Sequence, residues 1–289
     1  MIYYRWDNDF SSGGEHEFVH TPVNTQPTSA SWFRDFRDET NASRVPVTVI
    51  IPVFNEEQTI SEVVSQVYEL PFEKEIIVVD DGSDDATPAM LESWHDLDNI
   101  VVITHEENQG KGSAIRSGIE VAGGSIVVIQ DADLEYDPND LQKVLMPLVL
   151  GEADIVYGSR YRDGQTRHPH ATSHYGVKLL NRMVRWLYGV RLTDEATCYK
   201  AIRKSILRRM QLECRGFEFC PEVTAKACRM GLDIVEVPIG YHARGYDAGK
   251  KIRLRDGLTA ITTLWRYRNW AEPNLAPPVS QPLIERAAS

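Results

Sequence analysis

Residues 126–140 read IVVIQDADLEYDPND, a branched apolar run that breaks into five carboxylates within ten positions. The apolar half has the pattern of a strand buried on both faces of a parallel sheet. The acidic half divides by position. Asp137 directly before Pro138, with Asp140 following, suits the N-cap, first-turn proline and first-turn acid of a helix carrying Leu141, Val144 and Leu145. Asp131, Asp133 and Glu135 are spaced by two, so an extended segment aims them to one side. With no cation between them, their repulsion raises a pKa or opens the loop. A hard divalent ion, Mg2+ or Mn2+, resolves the conflict, because it favours one or two carboxylates completed by diphosphate oxygens. A lone D-x-D is more simply a solvated acidic turn; this one closes a buried strand.

Upstream the same pattern recurs. VTVII (47–51) is an apolar strand, and Ile60, Val63, Val64 and Val67 follow at helical spacing, with Asn55 and Gln58 placed as a capping box that starts the helix. EIIVVDDGSDD (75–85) is a second strand running into acids, then a helix over 86–95 with Pro88 in its first turn. NIVVITH (99–105) is a third strand, and Ala114, Ile115, Gly118, Ile119 and Ala122 mark the next helix. The alternation predicts one α/β domain over 46–270, a mostly parallel sheet with helices on both faces. Ligands of such sheets collect at the carboxyl ends of the strands. Here those ends read PVFNEE, DDGSDD, HEENQGKG and DADLEYD. Residues 1–45 mix Gly, Ser, Thr and Pro without periodicity and read as a mobile arm, and Pro-rich 271–289 as a flexible tail.

Composition narrows the partners. The 289 residues include 42 acidic and 31 basic side chains, a balance that disfavours non-specific binding to nucleic acid or to an anionic bilayer and leaves room only for local basic patches. The four cysteines form no C-x-x-C pair and no secretory leader is visible, so the expectation is buried thiols in a reducing cytoplasm. No apolar run approaches the ~18–20 residues of a spanning helix, which leaves peripheral membrane contact as the alternative to a fully soluble chain. NQGKGS is not a nucleotide phosphate loop, because the motif needs glycine where His105 stands. His168, His170 and His174 lack a carboxylate or cysteine partner at zinc spacing and read as part of a mobile acceptor loop. Two helical faces suit either the core or a lipid interface: Leu179, Leu180, Met183, Val184, Trp186 and Leu187 beside Lys178, Arg182 and Arg185, and Leu258, Ile261, Leu264 and Trp265 beside Arg266 and Arg268. Homo-oligomerisation stays open.

VTVIIPVFNEEQTI, IIVVDDGSDDAT, ENQGKGSAIRSGI and VVIQDADLEYDP, in this order, resemble the inverting nucleotide-sugar glycosyltransferases of family 2, and among them the polyprenyl-phosphate (dolichyl-phosphate) mannosyl- and glucosyltransferases. The resemblance implies a GT-A fold, a Rossmann-like sheet with a D-x-D metal site. It also implies transfer of a hexose from a GDP- or UDP-sugar to an acceptor, foremost a polyprenyl phosphate. On this basis Pro52, Phe54 and Glu56 belong to the nucleotide-binding loop, and Asp81, with Asp80 beside it, contacts the base. Lys111 attracts phosphate or is a surface lysine. Asp131 and Asp133 hold the metal, Ala132 lets the donor approach, and Glu135 is a third ligand where family members often carry Gln. Arg160 faces a donor or acceptor phosphate. Arg244 and Lys250 match two phosphate-binding positions of a closing basic loop that also carries Lys251, Arg253 and Arg255. Near Phe217, Glu218 and Glu222 match a pair of glutamates, and Asp194 matches an acid before the acceptor-side helix. One of these carboxylates serves as general base if the acceptor is a hydroxyl, or else supports the arginines; a phosphate acceptor needs no base.

The alternatives are a transferase acting on a soluble hydroxyl or phosphate, a sugar-nucleotide pyrophosphorylase, and a catalytically silent sugar-nucleotide-binding module. PVFNEE is not the Gly-rich, Arg-containing loop of a pyrophosphorylase, and intact Asp131, Asp133, Arg244 and Lys250 oppose silence.

Overall fold

A computed structural model of the chain describes residues 47–162, 171–243 and 254–273. The expected arm, and the expected tail beyond residue 273, lie outside them. The strands are β1 (Val47–Val53), β2 (Glu75–Asp80), β3 (Ile100–Thr104), β4 (Ile126–Ile129), β5 (Ile155–Ser159), β6 (Lys200–Arg203) and β7 (Ile234–Pro238). They form one sheet in the order β3-β2-β1-β4-β6-β5-β7. Ile50 of β1 is in register with Ile77 of β2 and Ile129 of β4, both parallel. Only β6 runs the other way, antiparallel to β4 and β5. The carboxyl ends of the other six strands and the amino end of β6 therefore share one edge, and the order reverses between β1 and β4, the position at which sheets of this kind bind their ligands.

Every residue of β1 is buried, because helices cover both faces. One apolar layer packs Val47, Val49, Ile51 and Val53 against α1 (Ile60–Glu69), α2 (Thr87–Leu91) and α4 (Leu141–Val149). The other packs Ile50, Ile77 and Val127 against α3 (Lys111–Val121), α5 (Ala171–Tyr188), α6 (Lys204–Met210), α7 (Phe219–Arg229) and α8 (Leu254–Arg266). Among the described residues no helix is long and apolar enough to cross a membrane.

Two local expectations are corrected. The helix after β1 begins at Ile60, and Asn55 is no cap. Its φ of 51° is left-handed, which asparagine tolerates, and its amide reaches Asp84 Oδ1 at 2.6 Å. Residues 131–135 are not extended either, since Leu134 has a φ of 57° and the segment turns. Asp137 does cap as expected, accepting from the Asn139 N–H at 2.9 Å before a 3-10 turn that runs into α4. Asp140 accepts from the Gly240 N–H at 2.6 Å and is structural.

Candidate active site

Asp131 leaves β4 through Gln130, whose N–H donates to the Ile50 carbonyl at 2.9 Å and whose side-chain oxygen accepts from the Tyr199 hydroxyl. The Asp131 carboxylate is buried and meets Lys111 Nζ at 2.5 Å. The same ammonium lies 3.1 Å from Cys198 Sγ at the amino end of β6. Burial opposes the charge on Lys111, but Asp131 more than restores it and holds the ammonium well above its ordinary range. Lys111 can stand there because Gly110, at a φ of 100°, lets the start of α3 approach Arg215, whose carbonyl oxygen would lie 2.4 Å from any added Cβ. Asp133 answers the opposite balance. Burial first, then the charges of Asp131 and Glu135, push its carboxyl up to about 7.

Glu135 does not complete a three-carboxylate set. The turn at Leu134 sends its side chain to the Tyr241 hydroxyl at 2.8 Å, and no three His, Cys, Asp or Glu among the described residues are grouped to hold a metal. Two acids, Asp131 and Asp133, remain. That donor set still fits Mg2+ or Mn2+, which commonly take one or two protein carboxylates plus phosphate oxygens.

In the loop expected to take the nucleotide, Pro52 is buried in β1 and Phe54 is half-buried. The Glu56 N–H donates to Thr87 Oγ1 at 3.0 Å, and its carbonyl accepts the Thr59 and Ile60 N–H groups that open α1. Thr59 Oγ1 in turn donates to the carbonyl of buried Ala132 at 2.7 Å, tying this loop to the D-A-D turn. Asp80 Oδ1 accepts from Ser83 Oγ at 2.6 Å, while its Oδ2 is buried without a hydrogen-bond partner among the described residues. Asp81 is spent on the loop after β3: His105 Nδ1 lies 2.7 Å from Oδ1, and the Gly110 N–H donates to Oδ2 at 2.7 Å. Oδ1 also accepts from the Gln109 N–H at 3.1 Å, so Oδ2, with one partner, is the oxygen with acceptor capacity left for a base.

Three expected site carboxylates prove to be anchors. Asp194 is fully buried and grips the Arg160 guanidinium with both oxygens, each at 2.7 Å. Full burial, which shields it from an acceptor, and the paired guanidinium, which stabilises the anion, both disfavour its taking a proton from an acceptor. Arg160 itself lies 5.1 Å from the Tyr241 ring centroid and 5.9 Å from that of Tyr136, so it is oriented before any phosphate arrives. Glu222, also buried, accepts from the Glu213 and Cys214 N–H groups and pairs with Lys226 at 2.6 Å. These contacts are structural, the alternative to a general base that its position in the sequence also allows. Glu218 caps its own turn through the Arg215 N–H at 2.7 Å. Arg244, Lys250, Lys251 and Arg253 lie outside the described residues, as do His168 and His170.

Sequence reasoning missed the aromatic wall. Tyr136 stacks on Tyr199 at 4.7 Å and tilts against Tyr241 at 5.5 Å, closing one side of the carboxylate turn. The tyrosine inside LEYD was the available signal, but its two partners lie far along the chain, one just before β6 and one just after β7. Cys198, one of the four cysteines expected as buried thiols, instead stands against Lys111.

A crevice at the switch point of a seven-stranded sheet, with paired aspartates on its rim, is the architecture of GT-A glycosyltransferases. Residues 48–211 match the family model described as Glycosyl transferase family 2, and the chain belongs to that family. It is 32% identical over 211 residues to the polyprenol monophosphomannose synthase of Mycolicibacterium smegmatis, covering 70% of this chain and 79% of the relative. It is 32% identical over 212 residues to a UDP-N-acetylglucosamine–dolichyl-phosphate N-acetylglucosaminyltransferase of Methanococcus voltae, covering 67% and 84%. Among solved structures, glucosyl-3-phosphoglycerate synthase from Mycobacterium tuberculosis with UDP superposes at a TM-score of 0.63, with 22% identity and 87% of each chain covered. The same enzyme with Mn2+, UDP and phosphoglyceric acid gives 0.63 at 23% identity, over 86% of this chain and 84% of that one.

Proposed function

We propose that this glycosyltransferase moves a hexose from a GDP- or UDP-sugar to the phosphate of a polyprenyl phosphate, with inversion at the anomeric carbon. The observation that carries the reading is the Asp131–Ala132–Asp133 turn, where burial and neighbouring acids hold Asp133 protonated up to about pH 7, a strain that a bound cation relieves. Asp131 and Asp133 would hold Mg2+ or Mn2+, which supplies positive charge to the departing nucleoside diphosphate. Lys111, at the start of α3, carries a second positive charge to the same place and has the N–H groups of a helix terminus beside it. Ala132 leaves room for the sugar, and the Pro52–Glu56 loop, tied to it through Thr59, offers backbone to the nucleotide. Arg160, fixed by Asp194 and two tyrosines, directs a planar fork at phosphate oxygens. Arg244 and Lys250 are proposed to close over the phosphates as the acceptor oxygen attacks from the opposite face.

The acceptor choice has its own support. Asp194 and Glu222 are committed to cations, which suits a nucleophile that needs no general base. A phosphate is already ionised at neutral pH. The two relatives above are named for polyprenol and dolichyl phosphate products or acceptors.

The test supplies Mn2+ or Mg2+ with radiolabelled GDP-mannose, UDP-glucose or UDP-N-acetylglucosamine, together with a polyprenyl phosphate and a water-soluble phosphate ester. Label extracting with the lipid, only in the presence of metal, is the expected result. Label that enters the soluble ester or a hydroxyl compound and never the lipid overturns the acceptor assignment.

A further inference from the structure

We propose that the outer face of α5 and α8 docks this chain on an anionic phospholipid bilayer. α5 has two unlike sides. Val177, Leu180 and Val184 face the core, while Tyr175, Leu179 and Trp186 stand 68%, 50% and 71% exposed. α8 repeats the division, with Ala260 and Leu264 buried but Leu258 and Trp265 exposed by 60% and 46%. The two outer stripes are one surface, because the Trp186 and Trp265 rings stack at 5.9 Å across the helix pair. Scattered surface apolar residues need no explanation; two tryptophans, a tyrosine and two leucines on adjoining helices form a patch that does.

The rim of the patch is basic. Lys178, Arg182 and Arg185 are exposed along α5, and Arg255 and Arg266 along α8. Arg268 lays its guanidinium 4.2 Å from the Trp265 ring centroid. An open groove of about 490 Å³ on α5 is lined by Tyr175, Lys178, Leu179, Asn181 and Arg182, mixing hydrocarbon with cation. Residues 174–188 contain no acid at all. Among the described residues, the acids that ion-pair with α8 are Asp256, beside Arg255 at 3.9 Å, and Glu213, which pairs with Arg266 at 3.0 Å.

Charge selects the occupant. The chain as a whole carries a formal −11, so a basic apolar face is not a by-product of composition and has to work against overall repulsion from an anionic surface. A second copy meeting this face about a two-fold axis would bring the same stripe, and hence its lysine and arginines, up against itself. A bilayer presents the complement: acyl chains for Leu179 and Leu258, the polar interface for Trp186, Trp265 and Tyr175, and lipid phosphates for the cations. The docking rests on the lipid-phosphate reading for its purpose but is measured apart from it.

The test is co-sedimentation of the full chain with vesicles of phosphatidylcholine, alone and mixed with phosphatidylglycerol. Binding to the mixed vesicles, weakened by added salt, is expected. W186S/W265S and K178Q/R182Q variants should each partition on the order of tenfold more weakly. Both should keep the wild-type melting curve and full transfer to a short-chain, water-soluble prenyl phosphate. Wild-type chain left in the supernatant, variants that bind as well as wild type, or a dimer in sedimentation equilibrium that the tryptophan variant abolishes would each overturn the proposal. Vesicle binding without any prenyl phosphate transfer would instead sink the functional reading and leave the docking surface standing.

Discussion

At the residue scale the site is a contest among charges. Lys111 neutralises Asp131, while Asp133 keeps its proton up to about pH 7 because burial and two acids disfavour its anion. A metal ion entering this pair has to displace that proton. Mn2+ affinity is therefore expected to rise with pH up to about 7 and then level off, falling by about tenfold per unit below it. Linkage gives a second reading of the same group. A carboxyl raised from 3.8 to about 7 on folding contributes stability that is complete below 3.8 and is lost as pH climbs through 7. The metal-free chain should thus lose this contribution between pH 4 and 8, and Asp133→Asn should abolish the loss. Scanning calorimetry decides it: an equal pH slope in wild type and variant contradicts the shift. Lys111→Met removes a cation from the metal's neighbourhood and should tighten Mn2+ binding while lowering kcat/KM on the order of a hundredfold. Unchanged turnover would make Lys111 a partner of Asp131 and nothing more.

At the scale of elements, buried ion pairs fix the loops that frame the crevice. Glu222 and Lys226, one turn apart on α7, are both essentially inaccessible, and Lys226 also donates to the Gln211 carbonyl at 2.9 Å. Glu222→Ala leaves a buried ammonium uncompensated and should cost about 3–5 kcal/mol, read as a lower melting temperature. A general base would instead lose kcat with its melting temperature intact, and that outcome would restore Glu222 to the chemistry. Gly110→Ala should lower stability too, since a methyl group there meets the Arg215 carbonyl. The strands of this frame were legible in the chain itself, because β1, β2 and β4 are built on the β-branched runs VTVII, IIVV and IVVI, which two-sided burial explains. The Asp137–Pro138 cap was legible for the same local reason. Asn55 was not, because asparagine serves equally as a cap and as a left-handed turn residue, and its partner Asp84 lies 29 positions away. Asp194 and Glu222 read as candidate bases because an acid shows its charge in sequence and hides its counterion; for Asp194 that counterion stands 34 positions upstream. The reversal of β6 left no trace in four residues, KAIR, two of them basic.

At the scale of the molecule, one antiparallel strand inside an otherwise parallel sheet brings Cys198 and Tyr199 to the edge where six other strands end, beside Lys111 and Tyr136. The proposed transfer depends on the aspartates at 131 and 133 acting through a divalent ion on the donor's diphosphate. Calorimetric titration of GDP- and UDP-sugars into the full chain measures this most directly, with Mn2+, with chelator, and in D131N and D133N variants that retain the wild-type fold by circular dichroism. Donor binding that appears with Mn2+ and disappears with chelator or with either substitution is the predicted result. Equal donor affinity under all these conditions would contradict it.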